Sequence, residues 1–441
     1  MDGEDRTMDI AFFLLGVICL HYNKPALTFT IFMGLSTSYF QMGTNSSDFI
    51  ISHNVHDSGM LLFFYMYFYG IWNKQRYPLP VSRQLYWALF MFGLFLILAI
   101  LYDYARGRTI VSILQSYRHW LLLFFAMPLM RLYPISTFEK SVKQIMYISV
   151  FATVLILIDH YAGTRILHED TGVFLSKRGI AYKRGAIPTT YCIFYIFLLL
   201  ADYYKGLSPK LKYLFVGLLF LSIVASMIRS QLFSVLLGIF FVLYITRKIR
   251  LGNLGTILIG TVLMAGVVLS DSGLRERVLL GWKEVHSLSS SSPKKEKGNM
   301  SFRLDLLKER CDYVTVRCDR ALLGIGSIRE KEFPTTFKVG LYNARMGRPT
   351  QLDTSDIAWA LLVLRLGILG TLILMVIWIK MISLSSRCSA SFGKAVYVYL
   401  YISFLVSFCG PNFSQGSYWL FMVVLLMISY RQEYDKERVA E

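Results

Sequence analysis

Long apolar runs recur from one end of this chain to the other, and they constrain its fold more than any other feature. The runs are about 15 to 25 residues long, and a bilayer core of ~30 Å takes about 20 apolar residues of helix to cross. Hydrophobic residues make up 55% of the 441 residues, and charged residues only 17%. The sequence therefore predicts an all-α integral membrane protein with about 12–13 transmembrane helices.

Thirteen runs are candidate spans, and the first two are short enough to form one re-entrant pair instead. They cover 9–21, 25–41, 57–73, 84–103, 109–130, 139–160, 188–204, 211–227, 230–246, 253–270, 354–380, 393–408 and 417–430. The acidic start MDGEDRT, with no small-residue cleavage site after the first run, predicts that no signal peptide is removed. The chain divides into an N-terminal bundle (1–270), a long loop (271–353) and C-terminal helices with a tail (354–441).

Lysine and arginine are distributed unevenly over the connections between these runs. One set of connections, which includes 74–83, 131–143 and 205–212, carries nineteen of these cations, whereas the short connections of the opposite set carry eight. Because cytoplasmic connections are enriched in Lys and Arg, the first set is predicted to be cytoplasmic. The long loop 271–353 then faces outward.

Several cations lie on the predicted outward side, against the topological bias. The stretch KRGIAYKRG (177–185) includes Arg178 and Arg184, and Arg229 lies between two apolar runs with almost no loop. Cations on the outward side are explained by binding of an anionic partner. The alternatives are contact with lipid headgroups and a solvated loop. A guanidinium at membrane depth needs pairing or water, so Arg229 is predicted to line an outward-opening cavity, with snorkelling to headgroups as the alternative.

The outward loop is predicted to contain a lid or linker and an amphipathic helix. Its centre, SLSSSSPKKEKGN (287–299), is polar and is expected to be mobile. The following segment places Leu304, Leu307, Cys311, Val314 and Cys318 on one apolar seam. Arg303, Arg310 and Arg317 recur every seven residues and share another face of this helix. For Arg310 and Arg317, the alternative is that they simply lie on a solvent-exposed face.

Motifs for other chemistries are missing from the sequence. It contains no CxxC or HExxH pattern, so no metal site is predicted, and no nucleotide-binding GxxxxGK[ST] loop. The net charge of +18 is spread over membrane connections, which argues against nucleic-acid binding. Cys311 and Cys318, seven residues apart on one helix, are predicted to be unbridged.

The order of these features resembles the O-antigen polymerase and O-antigen ligase superfamily. The shared features are an outward basic loop, an arginine at a tight turn, a long outward loop whose Arg-headed helix ends in ALLGIG (321–326), and the stretch SDIAWALLVLRLGILG (355–370). The resemblance covers about residues 170–375. It implies glycosyl transfer from an undecaprenyl-pyrophosphate-linked oligosaccharide at the outer face of the bacterial cytoplasmic membrane, without cofactors. It also implies partners such as a flippase and a chain-length regulator.

The resemblance assigns Arg229 and Arg303 to the pyrophosphate, with either Arg178 or Arg184 as a third ligand. Arginine suits this task because its planar fork binds phosphate oxygens bidentately. Ligase-type members carry a histidine eleven residues before the GxxG, where this chain has Asp356. Asp356 can act as base, acceptor-positioning group or counter-ion, and an N-cap is the structural alternative.

The missing histidine favours a polymerase, which joins repeat units, over a ligase, which transfers glycan to the lipid A core. Arg365 interrupts the apolar run 354–380. Contact with glycan, pairing with an acidic residue and helix packing each account for an arginine at this position. The rival class is a transporter or flippase of lipid-linked oligosaccharide. The sequence shows neither an internal repeat nor paired broken helices of the alternating-access kind, which disfavours that class.

Overall fold

The structure is a computed structural model, and the part of the chain that it describes is dominated by helices. The described residues are 5–36, 56–74, 76–77, 83–162, 173–175, 181–183, 189–226, 229–247, 299–328, 333, 337, 339, 341–343, 348–350, 357–408, 410, 413 and 416–440. The predicted run 253–270 and nearly all of the predicted lid 287–299 lie outside these residues.

Each predicted apolar run within the described residues contains a helix. The helices are α1 (Asp5–His21), α2 (Pro25–Ser36), α3 (His56–Trp72), α4 (Arg83–Ala105), α5 (Ile110–Leu132), α6 (Ile135–Ala162), α7 (Thr189–Leu200), α8 (Pro209–Ala225), α9 (Arg229–Ile245), α10 (Asn299–Thr315), α11 (Cys318–Leu323), α12 (Ala358–Ser386), α13 (Ser391–Ser407) and α14 (Gly416–Ala440). The all-α prediction is confirmed in these segments. Only α10 and α11 come from the predicted outward loop.

Length and composition separate these helices into two groups. Among the described residues, three stretches are long and apolar enough to cross a membrane, namely Arg83–Ala105, Ile135–Ile158 and Ala358–Ser386. A fourth is α5, if the segments on either side of its 59° bend form one span. Shorter apolar helices, including α2 and α13, accompany them. The described chain is therefore a helical membrane protein.

Two short antiparallel hairpins interrupt the helical pattern among the described residues. Strands β1 (Val173–Leu175) and β2 (Ala181–Lys183) pair in the predicted basic loop, with Phe174 opposite Tyr182. Strands β3 (Leu341–Asn343) and β4 (Arg348–Thr350) pair just before α12. Each strand has only three residues and lies in a connection between helices, so the hairpins do not change the all-α fold class.

Helix direction defines two ends of the bundle. At one end, Lys380 of α12 donates a hydrogen bond to Gln84 at the start of α4, which makes α4 and α12 antiparallel. The first backbone N–H of α12, that of Ala358, donates to the carbonyl of Gly410, just after α13. Helix α12 therefore begins at the end where α4 and α13 finish. Helices α7, α9 and α14 begin there too, because residues near their starts line one cavity with Ser407 at the end of α13. This end, which the charge distribution predicts to face outward, is named the site end.

The packing of α10 differs from the predicted apolar seam. Leu304 is 53% exposed and Cys318 is also exposed, whereas Leu306, Arg310 and Val314 are fully buried. The spacing of four between these three residues puts them on one helical face. That face packs between the bundle and aromatic residues that follow α11. The seam prediction is therefore wrong for Leu304 and Cys318.

Arg310 is the clearest departure from the sequence prediction. Exposure to solvent was an expected explanation for it, yet its side chain is completely buried. Its guanidinium pairs with Glu309 at 2.9 Å, donates to the carbonyl of Val339 at 2.8 Å and lies 3.6 Å from the ring centre of Phe337. A buried charge is tolerated only with such partners. Exposure is confirmed for Arg317, whose side chain is 55% exposed.

The described cysteines are free. Cys311 and Cys318 are both unbridged, as predicted, although they lie on two helices, α10 and α11, and not on one.

Candidate functional site

Helix α12 is broken at Gly367, and the segment ALLGIG packs into the break. Gly367 has φ 68° and ψ −176°, a conformation that only glycine adopts at low cost. The backbone N–H of Ile325 donates to the carbonyl of Leu364 at 2.9 Å, and that of Gly326 donates to the carbonyl of Arg365 at 3.3 Å. Two of the features that carry the resemblance, ALLGIG and the stretch 355–370, therefore meet at one joint.

The fit at this joint leaves no room for side chains. A Cβ atom on Gly367 would lie 2.5 Å from the carbonyl oxygen of Leu322, and one on Gly324 would lie 2.5 Å from that of Arg365. Backbone polar groups at membrane depth need protein partners, because lipid offers none. The loop supplies those partners to the broken helix, so glycine is required on both sides of the contact.

Arg365 belongs to the same joint. Its guanidinium donates to the carbonyls of Gly326, at 3.1 Å, and of Ile328, at 2.5 Å. Of the explanations offered by the sequence, packing is the one these contacts support. Arg365 holds the segment that follows α11 against α12.

Asp103 anchors the joint to the rest of the bundle. This carboxylate is fully buried at the end of α4, and its Oδ2 accepts hydrogen bonds from the backbone N–H of Ser327, at 2.7 Å, and from the hydroxyl of Tyr117, at 3.1 Å. The hydroxyl of Ser112 in α5 donates to the carbonyl of Ser327 at 3.2 Å. The loop segment is thus bonded to α4, α5 and α12 together.

A small cavity lies at the site end, away from this joint, and most of its lining surface is apolar. Its polar lining consists of Gln231 from α9, Tyr399, Ser403 and Ser407 from α13, and Tyr418 from α14. The Tyr418 hydroxyl is hydrogen-bonded to those of Ser403 and Tyr399. The cavity volume is about 20 Å³, enough to hold one water molecule. Among the described residues its lining carries hydroxyl and amide groups and no charge.

An aromatic floor makes one wall of the cavity rigid. Phe413, which lines it, lies 4.3 Å from the ring centre of Trp378 and 4.8 Å from that of Trp419. The indole of Trp419 donates to the carbonyl of Phe413 at 2.7 Å. Aromatic pairs at these separations are stabilising beyond their buried area. The floor therefore holds Phe413 against Trp378 and Trp419.

The first turn of α12 borders this cavity. The N-cap is Ile357, whose side chain has no hydrogen-bonding group, and the indole of Trp359 donates to the Ser407 hydroxyl at 2.8 Å. The Ala358 N–H donates to the Gly410 carbonyl at 3.1 Å, and Ser407 and Gly410 both line the cavity. The helix that follows Asp356 thus begins at the cavity, with Ile357 rather than Asp356 as its N-cap.

The structure describes the predicted site residues to different extents. Arg178, Arg184 and Asp356 lie outside the described residues. Arg229 is the first residue of α9, two positions before Gln231 in the cavity wall, and its backbone is described. The helices that carry Arg229 and follow Asp356 therefore converge at one place.

Arg303 is not brought to this place by the described contacts. It lies in the first part of α10, half-buried, and it is not among the residues that line the cavity. Its neighbour Phe302 and the buried Leu306 pack against the main hydrophobic core. Helix α10 is held against α12 on the flank of the ALLGIG joint.

Several polar residues of these sites were not predicted from the sequence. The sequence contained a signal for Asp103, because an ionisable residue at the end of an apolar run is a candidate for a buried polar contact. Gln231, Ser403 and Ser407 had no such signal, since hydroxyl and amide side chains are common in membrane helices. Among the described residues, no three His, Cys, Asp or Glu side chains are placed to hold a metal ion.

A second charged cluster joins α11 to the end of α4. The Tyr102 hydroxyl donates to Asp319 Oδ2 at 2.5 Å, and Arg317 donates to both oxygens of the same carboxylate, at 3.1 and 2.9 Å. These hydrogen bonds, first that of Tyr102 and then that of Arg317, lower the pKa of Asp319 to about 2. Asp319 is therefore ionised throughout the physiological range.

No family model matches the chain, and no curated protein matches it significantly.

Proposed function

We propose that this protein polymerises the repeat units of a bacterial surface polysaccharide, using an undecaprenyl-pyrophosphate-linked oligosaccharide as glycosyl donor. In this proposal about 12–13 helices cross the cytoplasmic membrane, and the site end faces outward. The observation that carries the proposal is the convergence of α9 and α12 on one small cavity with polar groups in its lining, because the family resemblance implies donor binding by Arg229 and acceptor activation by Asp356. Partner proteins in this role include a flippase and a chain-length regulator.

The reaction needs two kinds of group at the site. The acceptor hydroxyl oxygen bonds to the anomeric carbon of the donor sugar, the bond from that carbon to the pyrophosphate oxygen breaks, and undecaprenyl pyrophosphate leaves. Arg229 and either Arg178 or Arg184 offset the charge on the leaving group through bidentate contacts. Arg303 stays a predicted third ligand, which the described contacts do not bring to the cavity. The Asp356 carboxylate takes the hydroxyl proton, a role that a carboxylate with a suitable pKa can fill.

The hydroxyl and amide groups in the otherwise apolar lining of the cavity fit this chemistry. Gln231, Ser403 and Ser407 offer donors and acceptors that suit a sugar hydroxyl or the water that occupies its place. Because the cavity holds only about one water molecule, it accommodates a single hydroxyl and not a whole sugar ring. The bulk of the glycan then lies outside it.

The test is an assay with purified, reconstituted protein and a fluorescent undecaprenyl-pyrophosphate-linked repeat unit. A ladder of products spaced by one repeat unit supports the polymerase. Transfer to added lipid A core without a ladder identifies a ligase, and movement of the lipid across vesicles without turnover identifies a flippase. Either of those results contradicts the proposal.

The arginine role is tested at α9, which offers a matched control. Arg229→Ala should abolish product, and Arg229→Lys should restore little of it, because an ammonium group lacks the bidentate fork. Arg247, an exposed cation just beyond the opposite end of α9, should tolerate alanine with full activity. Wild-type ladders from folded Arg229→Ala protein would remove Arg229 from the site.

A further inference from the structure

The lipid-facing surface of the bundle ends in a cluster of arginines at the site end. Helix α4 exposes an apolar stripe at Leu94, Ile97, Leu98, Leu101 and Tyr104, which recurs at helical spacing along a span-length helix. Helix α5 exposes Ile110, Val111 and Leu114 at its start. In a membrane protein such stripes face lipid, so the connection 106–109 between them lies at the boundary of the bilayer.

Arg106 lies in this connection, two residues beyond the end of the stripe. Its side chain is exposed, and its guanidinium carbon lies 5.1 Å from the ring centre of Tyr102. A cation over an aromatic face is held in place without losing its access to anions. The structure thus presents a positive charge where the apolar surface stops.

Helix α11, about two hundred residues further along the chain, adds two arginines, Arg317 and Arg320, next to the end of α4. Asp319 accepts the hydrogen bond of Tyr102, so Arg317, which pairs with Asp319, is brought next to the end of α4. Both Arg106 and Arg317 act electrostatically on the Tyr102 hydroxyl. Arg320 follows Asp319 in α11, and its guanidinium carbon lies 4.8 Å from the ring centre of Tyr313. The three arginines therefore adjoin the Tyr102–Asp319 pair, and Arg317 is the one whose guanidinium contacts the carboxylate.

Apolar side chains stand beside these charges on a segment that is too short to span the membrane. Val316, just before α11, is 78% exposed, and Leu322 within it is 49% exposed. Exposed apolar residues interspersed with arginine are typical of segments that lie in the headgroup layer, with apolar groups towards the acyl chains. A site for soluble phosphate would have no use for these apolar groups.

We propose that α11 and the end of α4 form a binding surface for the phosphate groups of anionic phospholipids. Arg106, Arg317 and Arg320 contact the phosphates, and Val316 and Leu322 insert beside them. Asp319 is the one described carboxylate that contacts the cluster, and it orients Arg317. The surface would hold α11, and through it the ALLGIG segment, at a constant depth. This inference does not depend on the proposed glycosyl transfer.

The test uses two photoreactive lipids in vesicles of phosphatidylcholine that contain the reconstituted full-length protein. One probe is a photoreactive phosphatidylglycerol, and the other is the corresponding phosphatidylcholine. Labelled peptides are mapped after cleavage by a protease that does not recognise arginine. We expect the phosphatidylglycerol probe to label peptides that contain 101–111 and 316–323 preferentially.

Substitution of two arginines gives the quantitative test. Arg106→Gln with Arg320→Gln leaves the Arg317–Asp319 pair intact and should lower this labelling about 25-fold, since each arginine near an anionic surface contributes about fivefold. The control, Lys205→Gln with Lys210→Gln, removes two exposed cations from the opposite end of the bundle and should change nothing at these peptides. If the double variant is destabilised, Arg106→Gln alone should still lower the labelling about fivefold.

Three results would overturn the proposal. They are equal labelling by the two probes, undiminished labelling of the arginine variants, and labelling that inorganic phosphate displaces as readily as added phosphatidylglycerol does. The last result would mean that the cluster binds free phosphate rather than a lipid headgroup.

Discussion

Substitution of Gly326 by alanine should destabilise the protein far more than the same change at another glycine of similar backbone conformation. Gly326 has φ +69°, and a Cβ atom there would lie 2.2 Å from Oδ1 and 2.4 Å from Oδ2 of Asp103. The carboxylate cannot easily move away, because it is fully buried and accepts hydrogen bonds from Ser327 and Tyr117. The new methyl group must therefore displace either Asp103 or the loop.

The magnitude follows from two contributions. The left-handed backbone conformation costs alanine about 1–2 kcal/mol relative to glycine. Displacement of Asp103 also weakens two hydrogen bonds to a charged group, each contributing about 1.5–3 kcal/mol. We therefore expect Gly326→Ala to lower the free energy of unfolding by about 4 kcal/mol or more.

Gly107 is the matched control for the backbone contribution. It has φ +75°, and among the described residues no atom lies within 4 Å of a Cβ built on it. Gly107→Ala should therefore cost only about 1–2 kcal/mol. The difference between the two glycine variants isolates the contact with Asp103.

The assay is reversible denaturant unfolding in mild detergent, followed by tryptophan fluorescence. In an Asp103→Ala background, the added cost of Gly326→Ala should fall to that of Gly107→Ala, because the clash is gone and the two sites are coupled through contact. The reasoning is refuted if the two single glycine variants are equally stable. It is also refuted if the cost of Gly326→Ala is the same with and without Asp103.

Three further predictions concern groups elsewhere in the molecule. Asp356→Asn should leave the free energy of unfolding unchanged, because Ile357 is the N-cap of α12. It should slow ladder formation about a hundredfold, because it removes the proposed general base. A wild-type rate would contradict this role and make Asp353 the next candidate. Arg310→Ala should cost about 3 kcal/mol, since it removes a fully buried charge from its half-buried partners, the Glu309 carboxylate and the Val339 carbonyl. Arg310→Lys should recover only part of this, and unchanged resistance of the α10 segment to proteolysis would contradict the prediction. The pKa of Asp319 is about 2 in the folded protein, below its ordinary value of about 3.9. The ionised carboxylate therefore stabilises the folded state above pH 4, and this stabilisation is lost as the pH falls towards 2. The stability difference between wild type and Asp319→Asn should thus be constant from pH 5 to 8, and a change within that window would count against the assignment.

The positions of the helices could be predicted from the sequence because they depend on local properties. A helix satisfies its own backbone hydrogen bonds, so an apolar run of sufficient length is enough to specify it in lipid. The run 84–103 contains the core of α4 (Arg83–Ala105), and the run 354–380 contains most of α12 (Ala358–Ser386). Helix boundaries differ by a few residues because capping depends on partners elsewhere, such as Gly410 for the first turn of α12.

The roles of individual polar residues were decided only by the tertiary structure. A spacing of seven placed Arg303, Arg310 and Arg317 on one face of a single predicted helix. That helix ends at Thr315, so Arg317 precedes a second helix and is exposed beside Asp319, while Arg310 is buried under Phe337. Whether a guanidinium is buried depends on carbonyl groups and rings that are distant along the chain, and helical periodicity carries no information about them. The sequence alone determined where the apolar helices form. The break at Gly367, its hydrogen bonds to the ALLGIG segment and the burial of Asp103 depend on contacts between segments up to about two hundred residues apart, which only the folded chain brings together.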